Sequence, residues 1–244
     1  MSEAASTVGQ AAILVAFPIA AAVIGSVVSV VNPPGPRTVS AVQHFAAGVV
    51  LSALAGEILP DLRNEGSLHW SIIGFVVGSV VMLTLGALSR RMERTRAASS
   101  SSLPLVLLMA VGIDLLLDGL LVGLGVSLGA KQGLILTIAL TIEILFIGLS
   151  VTTTLTQSGI RKLPAVTISS GLSLTTAVGA IGGAAVLGGA SHQILALVLA
   201  FGAAALLYLV VEELLTEAHE QAETTALAAM FFLGFLTIYV LGSI

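Results

Sequence analysis

Residues 103–128 read LPLVLLMAVGIDLLLDGLLVGLGVSL, an apolar stretch that carries Asp114 and Asp118 near its middle. The next stretch, 132–156, reads QGLILTIALTIEILFIGLSVTTTLT and carries Glu143 at its own middle. Apolar runs of about 20 residues can cross a bilayer as helices. A charge at the bilayer centre costs on the order of 3 kcal/mol on insertion scales, so these carboxylates indicate an ion, proton or substrate path.

The whole chain has the composition of a membrane protein. Of its 244 residues 57% are hydrophobic and only 9% are charged, and the mean hydropathy is +1.10, whereas soluble domains have about 25% charged residues. Runs of spanning length lie at 9–31, 39–61, 69–89, 103–128, 132–156, 164–188, 192–216 and 224–243. We therefore predict an all-α, polytopic membrane protein with eight transmembrane helices in a single domain over residues 1–244. The first run lacks a signal peptide's basic region and cleavage site, so we expect it to remain as a span.

The distribution of Lys and Arg predicts the orientation, because cytoplasmic loops retain positive charge. Two basic residues, Arg63 and Lys131, fall on one side of the eight spans. The other side holds Arg37, Arg90, Arg91, Arg94, Arg96, Arg161 and Lys162. This count predicts a cytoplasmic loop at about 89–102 and two extracytoplasmic termini, and we expect the plasma membrane as the location.

Two stretches of the chain resemble each other. HFAAGVVLSALAGEILPDL from His44 aligns with AFGAAALLYLVVEELLTEA from Ala200 at an offset of 156 residues. Phe45 then matches Phe201, and Glu57 matches Glu213. Span 2 and span 7 would cross the membrane in opposite directions, so the pattern predicts an inverted repeat of spans 1–3 and 6–8 around central spans 4 and 5. Inverted repeats are typical of transporters that bind substrate near the midplane.

The repeat places acidic pairs near both membrane surfaces. Glu57 and Asp61 fall at the extracellular end of span 2, and Glu213 and Glu217 fall at the cytoplasmic end of span 7. The spacing of four residues places both members of a pair on one helical face. We interpret these carboxylates as candidate mouths of a pathway, although solvated helix ends are an equally good reading. His219 and Glu220 extend the inner group.

The three central carboxylates are predicted to converge. Asp114 aligns with Glu143 at an offset of 29 residues, and both lie about 18 Å along their helices. Asp118 shares a helical face with Asp114, and nearby glycines allow close helix contacts. Three ionised carboxylates so close would repel, so one must be protonated or all must share a cation. Oxygen ligands favour magnesium, manganese or calcium, and zinc and iron can also use them.

At these residues the chain resembles the ZIP (zinc- and iron-regulated transporter-like) family of divalent metal transporters. The family's fourth span usually carries His-Asn-x-x-Glu/Asp-Gly, and the same frame here runs from Asp114 to Gly119. Its fifth span usually carries His-Glu/Asp-x-x-Glu-Gly, and the frame here runs from Glu143 to Gly148. The glycines are retained, whereas most ligand positions differ.

The resemblance implies one metal position built from Asp114, Asp118 and Glu143. Asp118 keeps the family's acidic ligand, and the other two carboxylates stand where histidines are usual. A neighbouring second metal position is implied to be lost, because its ligand positions here are Leu115, Ile144 and Thr176. The identity of the ion therefore stays open among zinc, iron, manganese and others.

We predict a secondary carrier, not an enzyme, that moves a divalent cation by alternating access, inward as the resemblance implies. Its expected partners are the bilayer and metal ions, with a homodimer as a further option and no nucleic acid. Three alternatives remain: translocation of protons or monovalent cations, metal binding without transport, and an intramembrane aspartyl hydrolase that uses Asp114 and Asp118.

Overall fold

The computed structural model describes residues 2–64, 67–96, 105–219, 221–222 and 224–243. In that part of the chain, eight helical segments are long and apolar enough to cross a membrane, as the sequence predicted. Span 1 comprises Ser2–Leu14 and Ala16–Val31, span 2 comprises Pro36–Ala53, Leu54–Ile58 and Leu59–Asn64, span 3 is Leu68–Arg96, and span 4 is Leu105–Leu128. Span 5 is Ala130–Gln157, span 6 comprises Lys162–Leu172 and Leu174–Leu187, span 7 comprises His192–Tyr208, Leu209–Leu214 and Leu215–Ala218, and span 8 is Thr225–Ser243.

The third span is longer than its hydropathy predicts. Its helix continues to Arg96, so the first part of the predicted loop at 89–102 is helical. Arginine side chains are good helix formers, and a helix can extend into water beyond the apolar core. The rest of that loop lies outside the described residues.

Hydrogen bonds between helix ends show that span 2 is antiparallel to span 7 and that span 1 is antiparallel to span 6. Gln43 near the start of span 2 donates to Glu217 near the end of span 7, with Nε2 and Oε2 2.6 Å apart. Lys162 at the start of span 6 donates to the carbonyl of Val30 at the end of span 1. Spans 2 and 7 are therefore antiparallel. We call the end of the bundle where these contacts lie the arginine face; its described basic residues are Arg37, Arg90, Arg91, Arg161 and Lys162.

The packing of the helices has the symmetry of the predicted inverted repeat. Span 1 packs on span 5 and span 6 on span 4, while span 2 packs on span 8 and span 7 on span 3. Exchanging spans 1–3 with spans 6–8, and span 4 with span 5, reproduces the same set of contacts. Spans 4 and 5 are therefore related to each other by the same pseudo-two-fold symmetry as the two repeats.

Glycines make these contacts close enough for backbone to touch backbone. A Cβ added to Gly119 would lie 2.1 Å from the carbonyl oxygen of Thr176, and one added to Gly148 would lie 2.3 Å from that of Ala22. Side chains cannot occupy such space, so both contacts require glycine. The two glycines are 29 residues apart, the offset that aligns Asp114 with Glu143.

Spans 2 and 7 contain a further pair of matching features that the sequence did not predict. Each has a π-helical turn, at Leu54–Ile58 and at Leu209–Leu214. Pro60 follows the first turn and has no N–H to continue an α-helix; at the equivalent position in span 7, the hydroxyl of Thr216 donates to the carbonyl of Val211, five residues earlier. The turns hold the repeat-related glutamates Glu57 and Glu213, and such turns are frequent at functional sites.

Candidate metal site within the membrane

The three central carboxylates come together in the middle of the bundle. Asp114 and Asp118 lie one turn apart in span 4, and Glu143 faces them from span 5. One ligand oxygen from each residue lies within 4.8 Å of the others. Asp118 is 2% exposed and Glu143 is 1% exposed, and Asp114 is half-buried. The arrangement can therefore surround a single small cation with oxygen atoms from two helices.

The buried oxygens of this cluster are available to a ligand. Both carboxylate oxygens of Glu143 and Oδ2 of Asp118 have no hydrogen-bond partner within the described part of the chain. Burying a polar atom without a partner is unfavourable by about 1–3 kcal/mol, and by more for a charged group. A bound cation would satisfy these atoms and offset the repulsion among the carboxylates.

The contacts that build the bundle also position the cluster. Gly119 follows Asp118 directly and brings span 4 against the backbone of span 6 at Thr176. Gly148 lies just over one turn beyond Glu143 and brings span 5 against span 1. The carboxylates therefore project from helices that are fixed at the same depth.

The residues that the resemblance assigns to a second metal position are buried and uncharged. Leu115 is 2% exposed and Ile144 is 0% exposed, and both belong to the hydrophobic core. Thr176 is 0% exposed, and its hydroxyl has no hydrogen-bond partner among the described residues. Of these three side chains only Thr176 has an oxygen atom, and its hydroxyl is neutral, so none of them can act as an anionic metal ligand.

A cavity connects the central cluster to the arginine face. Its volume is about 230 Å³, and its lining includes Asp114, Glu143, Glu213 and Glu217. A second cavity of about 470 Å³ also reaches Glu217 and continues to the connection between spans 1 and 2. The two cavities share part of their lining, namely Phe146, Ser150, Thr154 and Glu217.

Of the two acidic pairs predicted to mark the mouths of a pathway, one lines the cavity and the other does not. Glu213 and Glu217 line the cavity, and the charge of Glu213 interacts with those of the central carboxylates. Glu57 and Asp61 lie at the opposite face, and neither lines the two cavities described above. There the carboxylate of Glu57 lies next to Gly242, and it interacts electrostatically with Lys131.

The remaining inner candidates are His219 and Glu220. His219 lies at the arginine face beside His44, and their ring centroids are 5.2 Å apart. Glu220 lies outside the described residues. Sequence reasoning missed His44 and Gln43 as neighbours of the inner group, although the antiparallel register of spans 2 and 7 places the start of one beside the end of the other.

These features define a class of protein: a polytopic membrane transporter with an inverted repeat and an acidic site at its centre. The chain belongs to the ZIP family, because the family model described as ZIP Zinc transporter matches residues 89–242, more than half of the chain and all of the central cluster. No curated protein matches the chain. This match confirms the predicted resemblance, and the family is one of metal transporters.

Proposed function

We propose that this chain carries a divalent metal cation across the membrane through Asp114, Asp118 and Glu143. The observation that carries the proposal is the set of three carboxylates whose ligand oxygens lie within 4.8 Å of one another while two of the side chains are almost fully buried. A single divalent ion neutralises most of their charge and accepts their free lone pairs. The all-oxygen ligand set favours magnesium, manganese or calcium, and it can also hold zinc or iron.

The cavity supports a route for the ion between the central site and the arginine face. Glu213 and Glu217 line that route and attract cations into it. We place the arginine face in the cytoplasm, because positively charged loops are retained there. The ion then moves inward, from Glu57 and Asp61 at the outer face, through the central carboxylates, to Glu213, Glu217 and His219.

The repeat supports alternating access as the mechanism. In this structure Glu213 shares a cavity with Asp114 and Glu143, and its repeat partner Glu57 does not line that cavity. Exchanging the conformations of the two halves would bring Glu57 into the equivalent position on the outer side. In the outward-open state Glu57 lies next to the central site, and in the inward-open state Glu213 does.

The proposal is tested by uptake of radioactive zinc, manganese and iron into proteoliposomes that contain the purified protein. We expect saturable uptake of at least one of these ions above that of empty vesicles. Acidification of the lumen without any metal-dependent flux would instead support the alternative of proton translocation. Binding of metal without flux would support a non-transporting relative.

Neutralising Glu213 should slow transport without removing the central site. For Glu213→Gln we expect kcat/KM for metal uptake to fall about tenfold, because charge in a cavity raises the local cation concentration. Glu212→Gln is the matched control: Glu212 pairs with Arg90 at 3.5 Å and is not among the residues that line the cavity. Equal uptake by the two variants would contradict the proposed route.

The proposed orientation can be tested by cysteine labelling, because the chain has no cysteine of its own. We expect Ser243→Cys, at the end of span 8, to react with a membrane-impermeant maleimide in intact cells. Ser158→Cys, an exposed residue at the arginine face, should react only after permeabilisation. The reverse pattern would place the arginine face outside the cell and the cavity open to the exterior.

A further inference from the structure

The spans divide into two groups by their packing. Spans 1, 4, 5 and 6 pack together and carry the three central carboxylates, and we call them the site-bearing group. Spans 2, 3, 7 and 8 form a second packed set, the flanking group, which carries Glu57 and Glu213. The two groups touch less extensively, mainly through spans 4 and 5. Alternating access moves one group of helices against another, so a bond that joins the groups must break during the cycle.

Lys131 joins the two groups at the face opposite the arginine face. It lies in the first turn of span 5, and its Nζ donates to the carbonyl of Gly242 in the last turn of span 8. By contrast, the hydrogen bond from Gln43 to Glu217 stays within the flanking group. The contact of Lys131 therefore holds span 5 against span 8 across the boundary between the groups.

The position of Lys131 is unfavourable for its own helix and favourable for the neighbouring one. The N-terminus of a helix carries partial positive charge, so span 5 repels a cation in its first turn. The last carbonyls of a helix have no partner within the helix and carry partial negative charge. The ammonium of Lys131 satisfies one of these carbonyls in span 8, that of Gly242. The contact across the boundary thus explains why a cation is stable at this end of span 5.

The carboxylate of Glu57 lies at the same contact. A Cβ added to Gly242 would lie 3.0 Å from Oε1 of Glu57, and the charges of Glu57 and Lys131 attract each other. Lys131 therefore supplies positive charge beside one of the carboxylates that are proposed to attract cations at this face. The ammonium and an arriving metal ion would repel each other there.

The internal repeat indicates what this contact closes. At the offset of 156 residues Gly242 corresponds to Gly86, and Glu57 corresponds to Glu213. Gly86 and Glu213 both line the cavity that leads to the arginine face. Exchanging the conformations of the repeats would therefore place Gly242 and Glu57 in the lining of an equivalent cavity at the opposite face. In this structure Lys131 is bonded to the backbone at that place.

We propose that Lys131 is the gate of the face opposite the arginine face. Its ammonium closes the mouth at Gly242 and Glu57 while the cavity leads to the arginine face, and it must leave Gly242 before that mouth can open. Lys131 is a positioning residue, because it acts through the placement of span 5 and does not bind the cargo. Its role as the gate of the metal entrance rests on the proposed function, whereas the closure itself does not.

The gate can be tested by cysteine accessibility in the purified full-length protein in detergent, where reagents reach both faces. Ile135 lies one turn from Lys131 and is 1% exposed, and its Cδ1 would lie 3.8 Å from a Cβ added to Gly242. Ile135→Cys should react slowly with a water-soluble maleimide. Adding Lys131→Met should raise the labelling rate at least about tenfold, the effect of losing one hydrogen bond from a charged group. Adding Lys131→Arg should keep the slow rate, because arginine retains the charge and the donor.

Two controls accompany the labelling. Arg63 is an exposed basic residue at the same face, at the end of span 2, so adding Arg63→Met to Ile135→Cys should leave the rate unchanged. Ser243→Cys, which is already exposed, should react rapidly with or without Lys131→Met. Lys131 is itself exposed, so its variants should remain folded, and thermal unfolding checks this.

Three results would overturn the proposal. These are equal labelling of Ile135→Cys with and without Lys131→Met, labelling with Lys131→Arg as fast as with Lys131→Met, and an equal rise with Arg63→Met. The labelling requires no transport. Failure of the transport proposal would therefore appear separately, as an absence of metal flux in wild-type proteoliposomes.

Discussion

Replacement of Glu143 by glutamine is expected to lower metal uptake in proteoliposomes at least roughly 100-fold, to the level of empty vesicles. Glu143 contributes two buried oxygens that have no partner among the described residues. Altering merely the groups that support metal ligands typically lowers affinity 10–100-fold, and loss of a charged ligand has a larger effect. Glutamine keeps the size of the side chain but removes its charge.

Asp118→Asn should behave in the same way, because Asp118 is buried beside Glu143 and shares the cluster. Thr141→Val serves as a control in the same helix as Glu143, since the hydroxyl of Thr141 donates to the carbonyl of Thr137 within that helix. Thermal unfolding should show that all three variants remain folded. Wild-type uptake by both carboxylate variants, for every ion tried, would show that the central cluster does not carry the cargo.

The second large effect is expected at Gly119, where a single methyl group should disrupt the bundle. In Gly119→Ala the new Cβ would lie 2.1 Å from the Thr176 carbonyl oxygen and 2.9 Å from the Ala180 nitrogen. Both atoms belong to the backbone of span 6, so neither can move without shifting the helix. Overpacking of this kind typically destabilises by about 1–3 kcal/mol. The shift also displaces Asp118, and uptake should fall with stability.

Gly182→Ala provides the contrast, because nothing lies within 4 Å of the Cβ it would add. Alanine is favoured over glycine inside a helix by about 1 kcal/mol, so this variant should be as stable as the wild type or more so. The measurement is the midpoint of thermal unfolding in detergent, followed by size-exclusion chromatography. A Gly119→Ala protein as stable as Gly182→Ala would contradict the described contact between spans 4 and 6.

The helical bundle could be predicted because lipid imposes simple rules on sequence. Apolar length alone located the spans, and the match of Phe45 to Phe201 identified the repeat. The structure places these two residues in equivalent contacts, since the Phe45 carbonyl approaches Gly234 and the Phe201 carbonyl approaches Gly78. The spacing of Asp114 and Asp118, together with nearby glycines, likewise anticipated the convergence of the carboxylates.

Features that depend on tertiary contacts could not be predicted in this way. The π-helical turn before Leu215 has no proline beside it, so local sequence does not reveal it. His44 looks like any polar residue near a helix start, and its neighbour His219 is identified only by the antiparallel contact of spans 2 and 7. The side on which the cavity opens depends on how the helices tilt, and hydropathy does not report tilt.

The central claim is tested most directly by crystals soaked separately with manganese, zinc and cadmium and measured by anomalous diffraction. The account predicts, for at least one of these ions, an anomalous peak bounded by oxygens of Asp114, Asp118 and Glu143. The peak should disappear in Asp118→Asn crystals. A fully soaked crystal with ions bound only elsewhere, and with the three carboxylates unchanged, would contradict it.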